Sequence, residues 1–210
     1  MPIVNKDFVS NKGFTLVELM VSIGIFAFMT ALHVAKYGTF NQGILLTNLA
    51  YDVALTIRNA QSYGLNVKSK PSGGTDCAAG GSSFSNCFDY PYGVHFDEGA
   101  SGDPAPNTRF VFFADISKDG VYNSGDEIIK TSYIRRGRIV DNICISLDSS
   151  CNITPSSLDI TFKRPDPNAI IIGNINQNTK YAYAEITLKS SDGGLKKVTV
   201  RSTGQIDVTN

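Results

Sequence analysis

Apolar residues are concentrated near the N-terminus, and from Leu19 to Ala35 the chain contains no Asp, Glu, Lys or Arg. With the preceding Phe14–Val17, this stretch gives about 20 mostly apolar residues, or roughly 30 Å of helix, which matches the hydrocarbon core of a bilayer. Glu18 is the one charged residue that interrupts the run. The pattern predicts a membrane-spanning helix over 14–35.

After the apolar run, hydrophobic residues recur at spacings of three and four, with polar residues between them. The positions are Leu46, Leu49, Val53, Ile57 and Ala60. This spacing places the side chains on one face of a helix, and Gly64 is a typical stop signal. The pattern predicts one helix over 14–64, whose second half packs on a globular domain by a single stripe.

The pattern changes to short β-type runs after residue 65, and a stretch rich in Pro, Ser and Gly over 70–81 indicates a loop. The predicted strands are Tyr92–Phe96, Arg109–Ala114, Glu127–Ile134, Arg138–Leu147, Leu158–Lys163, Ala169–Ile172, Tyr181–Leu188, Lys196–Ser202 and Gln205–Val208. Together with the helix, they predict an α+β fold in which a long N-terminal helix packs on an antiparallel β-rich domain over 65–210.

Charge and histidine content exclude several classes of function. Of the 210 residues, 19 are Lys or Arg and 19 are Asp or Glu, so the formal net charge is zero, which argues against a strongly basic nucleic-acid-binding domain. His33 and His95 are the only histidines. They exclude a three-histidine metal site, and neither lies in a recognisable nucleophile–base motif. The sequence therefore predicts a protein that is not an enzyme.

A basic patch keeps nucleic acid open as a less favoured partner, because arginine and lysine side chains bind phosphate. Its residues would be Arg135, Arg136, Arg138, Lys196, Lys197 and Arg201. With zero net charge, a solvated strand edge is the favoured interpretation of these side chains.

Three interpretations compete for the N-terminal segment. A secretory signal peptide fits poorly, because the run is long and a small-residue cleavage pair is lacking. A plain membrane anchor, oriented with Lys6 and Lys12 on the cytoplasmic side, explains the length. It leaves Glu18 unexplained, since an unpaired carboxylate in the bilayer core costs roughly 2.5–3.5 kcal/mol or more.

The third interpretation explains both features. Residues 12–20, KGFTLVELM, resemble the prepilin signature of type IV pilins and type II secretion pseudopilins. The resemblance implies that a membrane peptidase removes residues 1–13 by cutting after Gly13, that Phe14 is then N-methylated, and that the apolar helix is retained. It also implies that Glu18 pairs with the N-terminal amine of a neighbouring subunit during assembly.

The implied protein is a structural subunit, a minor pilin or pseudopilin, of a type IV pilus or a type II secretion pseudopilus. Its partners would be other pilin subunits, the prepilin peptidase and the inner membrane, which it would cross once with its C-terminal domain outside the cytoplasm. Two alternatives stay open. One is a DNA- or surface-binding pilin for uptake or adhesion, and the other is a membrane-anchored calcium-binding domain that does not polymerise.

Segments of the globular part are similar to the GspH/FimT family of minor pilins and pseudopilins. They are YGV at 92–94, FVFFAD at 110–115, ITF at 160–162, KVTV at 197–200 and STG at 202–204. The chain departs from that family in having no tryptophan and in its long segment over 70–91.

Cys77, Cys87, Cys144 and Cys151 all follow the membrane segment. An exported domain lies in an oxidising compartment, so two disulfides are expected. Three connectivities are open, of which local pairing, Cys77 with Cys87 and Cys144 with Cys151, closes short loops. A four-cysteine zinc site is the disfavoured alternative, because its ligand pairs usually lie two to four residues apart.

The segment 115–126 follows the pattern of a calcium-binding loop. Oxygen ligands fall at template positions 1, 3, 5, 7, 9 and 12, and Gly120 falls at the turn. They are Asp115, Ser117, Asp119, the Val121 carbonyl, Asn123 and Asp126. Strands rather than helices flank the segment, so a polar turn between two strands remains the alternative to a structural calcium ion.

Overall fold

The computed structural model describes residues 13–66, 68, 88–98, 106–148 and 150–209, without the side chains of 35–40 and 106. The predicted loop over 70–81 and almost all of the predicted leader lie outside these ranges, as do Cys77 and Cys87. The chain forms two compact units, Met1–Asn41 and Gln42–Asn210.

Helix α1, Leu16–Leu65, confirms the predicted long helix. Its first segment, Leu16–Val34, is apolar and, at 19 residues, long enough to cross a membrane, and none of it is buried. In the second unit the predicted apolar stripe is buried: Leu46, Leu49, Val53, Ile57 and Ala60 are all at most 7% exposed.

In the described part of the chain, nine strands follow in the order and close to the positions that the sequence predicts. They are β1 Tyr92–Asp97, β2 Arg109–Ala114, β3 Glu127–Tyr133, β4 Ile139–Ser146, β5 Ser157–Lys163, β6 Asp166–Gly173, β7 Tyr183–Lys189, β8 Leu195–Arg201 and β9 Ile206–Thr209. A short 3₁₀ helix, Pro106–Thr108, precedes β2. The predicted α+β architecture is therefore confirmed.

The strands form two antiparallel sheets. The five-stranded sheet has the order β3-β2-β1-β5-β6, and the four-stranded sheet has the order β4-β7-β8-β9. Alternate residues of the strands join the buried stripe of α1 in one hydrophobic core, in which Phe96, Phe162, Ile143 and Ile186 are completely buried. This core supplies the main stabilisation of the second unit, since burying a large apolar side chain contributes about 1.5–3 kcal/mol.

Backbone hydrogen bonds join the two sheets at one end of the core. Ala169 N of β6 donates to Ser202 O, which follows β8, over 2.8 Å. Ser202 N in turn continues the β7–β8 pairing within the four-stranded sheet by donating to Ala182 O over 2.8 Å. Tyr181 N donates to Ile171 O of β6 over 2.9 Å. The sheets are thus linked through main-chain groups as well as through side-chain packing.

Gly64 lies inside the last turn of α1, which ends one residue later, and its role differs from the predicted stop signal. The helix passes so close to β5 that a Cβ at this position would overlap the Phe162 carbonyl oxygen and lie 2.8 Å from the carbonyl carbon. Gly64 O accepts a hydrogen bond of 3.1 Å from Arg164 N. Glycine is required here by the close approach of two backbones.

Candidate functional site

A reciprocal hydrogen-bond pair at Thr15 and Glu18 begins helix α1. Glu18 N donates to Thr15 Oγ1 over 3.2 Å, and Glu18 Oε2 accepts from Thr15 N and Thr15 Oγ1 over 3.3 and 3.2 Å. This is a capping box, in which side chains satisfy helix donors that have no partner within the helix, and a cap of this kind contributes about 1 kcal/mol. The T-x-x-E spacing at 15–18 signals it, but the sequence analysis missed it.

The residues of the predicted processing site are exposed together. The Phe14 side chain is 82% exposed, and a Cβ at Gly13 would meet no atom within 4 Å. Glu18 lies one helical turn further along, on the same unburied segment. Cleavage after Gly13, methylation of Phe14 and pairing of Glu18 with a neighbour stay predictions.

The helical segment that follows this site has a continuous exposed apolar surface. Every residue over 16–34 is exposed, including large side chains such as Phe26 and Val34, at 75% and 70%. Monomeric soluble proteins rarely expose apolar surface on this scale, which is typical of segments that contact lipid or other protein chains. The capping box therefore begins a helical segment, Leu16–Val34, whose whole circumference is available for such contacts.

The second candidate site, the loop between β2 and β3, is organised around Asp115, which is completely buried. Its Oδ1 accepts from Lys118 N over 2.6 Å and from Ser117 Oγ over 3.1 Å, and its Oδ2 accepts from Gly120 N over 2.8 Å. Burial raises the pKa of Asp115, while these hydrogen bonds act in the opposite direction. The carboxylate acts as the anchor of the turn.

The other predicted calcium ligands bond within the same loop. Asp126 accepts from Ile116 N over 2.8 Å through Oδ1 and from Asn123 N over 2.9 Å through Oδ2. Asp119 Oδ1 accepts from Val121 N over 2.9 Å, and Asn123 Nδ2 donates to Ser117 Oγ over 2.9 Å. The oxygens that the calcium template would use are therefore engaged with donors of the loop itself.

In this arrangement the carboxylates of the three predicted aspartate ligands each accept a hydrogen bond from a backbone N–H of the loop. Among the described residues, no group of three or more His, Cys, Asp or Glu side chains comes together in a way that could hold a metal. Calcium binding by the loop stays a prediction, and the polar turn accounts for the contacts that are present.

The loop folds back onto the five-stranded sheet through Tyr122, a contact that the sequence analysis missed. The Tyr122 ring lies 4.9 Å from the His95 ring and 5.1 Å from the Phe113 ring. Asp159 Oδ1 accepts from Tyr122 N over 3.2 Å and lies 2.8 Å from His95 Nδ1. Burial raises the pKa of Asp159, and the hydrogen bond with His95 opposes this shift. No local pattern could signal this, since 64 residues separate His95 and Asp159.

Substitution Asp115→Ala is expected to lower the free energy of unfolding by about 2 kcal/mol or more, because the buried Gly120 N–H and the part-buried Lys118 N–H lose their acceptor. Urea unfolding of the full chain in detergent measures this. Asp119→Ala, at an exposed position of the same loop, is the control and should shift the midpoint by much less. Equal shifts for the two variants would contradict the anchoring role.

Calcium binding by the same loop can be tested in the same unfolding experiment. A rise in the wild-type midpoint on addition of calcium, which Asp119→Ala abolishes, would establish the calcium site.

Cys144 and Cys151 form a disulfide with a Cα–Cα distance of 5.7 Å. Of the connectivities left open by the sequence, the structure thus has the local pair at the end of β4. Closing a loop of this length stabilises a fold by about 2–3 kcal/mol in the chain-entropy model. A bonded pair has no thiolates to offer to zinc, so these two cysteines are not zinc ligands in this state.

Two residues of the predicted basic patch make contacts within the fold. Arg138 Nη1 donates to Leu45 O over 2.7 Å, and Lys197 Nζ lies 2.9 Å from a Glu185 carboxylate oxygen. These two cationic groups therefore take part in contacts within the fold, and binding of nucleic acid by the patch stays a prediction.

Comparison with known proteins identifies the N-terminal segment. The family model of the prokaryotic N-terminal methylation motif matches residues 9–32, which include the capping box and most of the exposed apolar helix. No curated protein and no solved structure matched the chain. The motif supports a pilin or pseudopilin that prepilin peptidase processes, anchored in a membrane, and it suggests a structural role. The N-terminal segment of this chain is thus of the type IV pilin and pseudopilin type.

Proposed function

We propose that the chain is a minor pilin or pseudopilin that is cleaved after Gly13 and built into a filament through α1. The observation that carries this proposal is the methylation motif at the start of a helix whose segment Leu16–Val34 is apolar and wholly unburied. Because that segment has no partner within the described part of the chain, its apolar surface is available first to lipid and then to other subunits.

Two further observations support the details. The disulfide Cys144–Cys151 is the kind of bond that persists in oxidising compartments, which supports a globular domain outside the cytoplasm. The segments similar to the GspH/FimT family include parts of β1, β2, β5 and β8, within the two sheets, and they support a minor subunit of that kind.

In this proposal, Glu18 sets the axial position of each subunit relative to its neighbour. It is the one carboxylate in the apolar run, and its described side-chain contacts are those with Thr15. An ionised carboxylate in an apolar setting is stabilised by a nearby cation. Cleavage after Gly13 creates an ammonium at Phe14, and methylation keeps its charge. A neighbouring subunit that places this ammonium beside Glu18 neutralises both groups, and only one axial step achieves it.

Substitution Glu18→Gln tests this role, because glutamine at this position retains the capping geometry while it removes the charge. We expect the variant to be cleaved normally but to lose association between copies. The measurement is co-purification, in mild detergent, of two differently tagged full-length chains that are coexpressed with a prepilin peptidase.

Ser22→Ala is the matched control, since Ser22 lies one turn further on and donates only to the Glu18 carbonyl oxygen, over 2.7 Å. It should associate like the wild type. If Glu18→Gln copies co-purified at wild-type levels, the charge of Glu18 would have no role in assembly.

A further inference from the structure

The part of α1 that packs on the sheets carries a second, exposed apolar face. Ile44, Tyr51 and Leu55 are 46%, 61% and 57% exposed. Their spacings of seven and four place them in one line along the helix, opposite the stripe that is already buried in the core. The sheets cover the buried stripe of the helix, but within the described residues nothing covers the exposed face. This second face is therefore available to another partner.

One flank of this exposed face borders β9, the edge strand of the four-stranded sheet. A cavity of about 360 Å³ lies there between Tyr51, Leu55 and Arg58 of the helix and Ile206–Val208 of the strand. We call this surface the Arg58 flank. It combines an apolar floor with a cationic residue, Arg58, and an acidic one, Asp207.

The other flank borders β3, the edge strand of the five-stranded sheet. Asp52 and Leu55 of the helix face Lys130 and Tyr133 of the strand across a smaller cavity of about 140 Å³. We call this surface the Asp52 flank. Its Tyr133 side chain is 63% exposed, a large aromatic group at the rim.

The two flanks carry complementary charges. Asp52 and Lys130 lie on one flank, and Arg58 and Asp207 lie on the other. Within the described residues, none of these four groups takes part in an ion pair. Placing the Asp52 flank of one copy on the Arg58 flank of another would pair Asp52 with Arg58 and Lys130 with Asp207. It would also offer the Tyr133 ring to the larger cavity, and tyrosine is a preferred interface anchor.

We propose that the Arg58 flank of one subunit binds the Asp52 flank of a second copy of this chain. The proposal rests on the proposed filament function and adds the contact made by the globular units. Since the two surfaces differ, the contact is heterologous, and such a contact can repeat from copy to copy along a filament. Tyr51 and Leu55 are buried between neighbours in this contact.

Cysteine cross-linking in membranes tests the contact with the full-length chain. One tagged copy carries Asp52→Cys and a second, differently tagged copy carries Arg58→Cys, coexpressed with a prepilin peptidase and treated with a short bismaleimide. We expect a cross-linked heterodimer from the mixed pair. Copies that all carry Asp52→Cys, or all carry Arg58→Cys, should cross-link no more than the wild-type chain does, because a heterologous contact keeps equal positions apart.

A charge exchange supplies a second measurement that does not depend on new cysteines. Asp52→Arg and Arg58→Asp should each lower co-purification of tagged copies, and the double variant should recover it. Asn178→Asp, at an exposed loop position on the second unit, is the control and should have no effect.

The inference is overturned by cross-links between equal positions, or by an absent mixed cross-link in membranes where wild-type copies still co-purify and Glu18→Gln copies do not. That second result leaves the proposed function intact. Absence of any co-purification of wild-type copies, by contrast, overturns the proposed function together with the inference.

Discussion

Replacement of Gly13 by valine is expected to abolish processing of the chain by a coexpressed prepilin peptidase. The fold gives no reason for a glycine at this position, since an added Cβ would meet no atom within 4 Å. We expect the need for glycine to come from the peptidase, which in the family that this segment resembles cuts after the glycine of the motif. Mass spectrometry should show a wild-type chain that begins with N-methylated Phe14 and a variant that keeps residues 1–13.

Gly24→Ala is the matched control for this experiment. Gly24 is also open, with nothing within 4 Å of an added Cβ, but it lies inside the apolar helix, away from the cleavage site. The control should be cleaved like the wild type. Complete cleavage of the Gly13→Val chain, or an uncut wild-type chain, would count against the processing site.

Substitution Gly64→Ala is expected to lower the free energy of unfolding of the globular unit by about 3 kcal/mol or more. Overpacking of this kind costs about 1–3 kcal/mol where side chains can yield. Here the obstacle is the Phe162 backbone in β5, which can yield only if α1 moves away from the sheet. Urea unfolding of the full chain in detergent, followed by the near-UV circular dichroism of its tyrosines, measures the effect.

Gly43→Ala controls for the change in helix propensity. Gly43 also lies in α1, and an added Cβ there meets nothing within 4 Å. Alanine should stabilise the helix at this position by up to about 1 kcal/mol. If Gly64→Ala were as stable as Gly43→Ala, the close approach of α1 to β5 would not exist in solution.

Much of the fold could be predicted because the relevant signals are local. The spacing of Leu46, Leu49 and Val53 defines a helix face without reference to the rest of the chain, and the alternation around Ile143 and Val198 does the same for strands. Helix α1 and all nine strands therefore lie close to their predicted positions.

The pairing of distant segments could not be predicted in this way. Nothing local in β1 indicates that it lies between β2 and β5, or that β4 pairs with β7 in the other sheet. For the same reason the pairing of His95 with Asp159 was missed. The role of Gly64 was misread because a glycine near the end of a helix usually terminates the helix. Here glycine is needed because a larger residue would overlap the backbone of β5.

At the candidate sites, too, local sequence patterns could be recognised but contacts between distant groups could not. The motif at Gly13, Phe14 and Glu18 is contiguous in sequence, so it was recognised directly and the family model matches it. The calcium template at 115–126 is also contiguous, but a template gives only the order of the oxygens. It does not show that backbone N–H donors of the loop itself bond to Asp115 and Asp126.

The main-chain links from Ala169 to Ser202 and from Tyr181 to Ile171 have a dynamic consequence. Because the sheets share these bonds and one core, neither can open far without breaking the edge of the other. Slowly exchanging amides in both sheets should therefore report a single opening event with the same free energy and the same response to denaturant. A subunit of this kind, when pulled along its helix, would resist as one cooperative body rather than yield sheet by sheet.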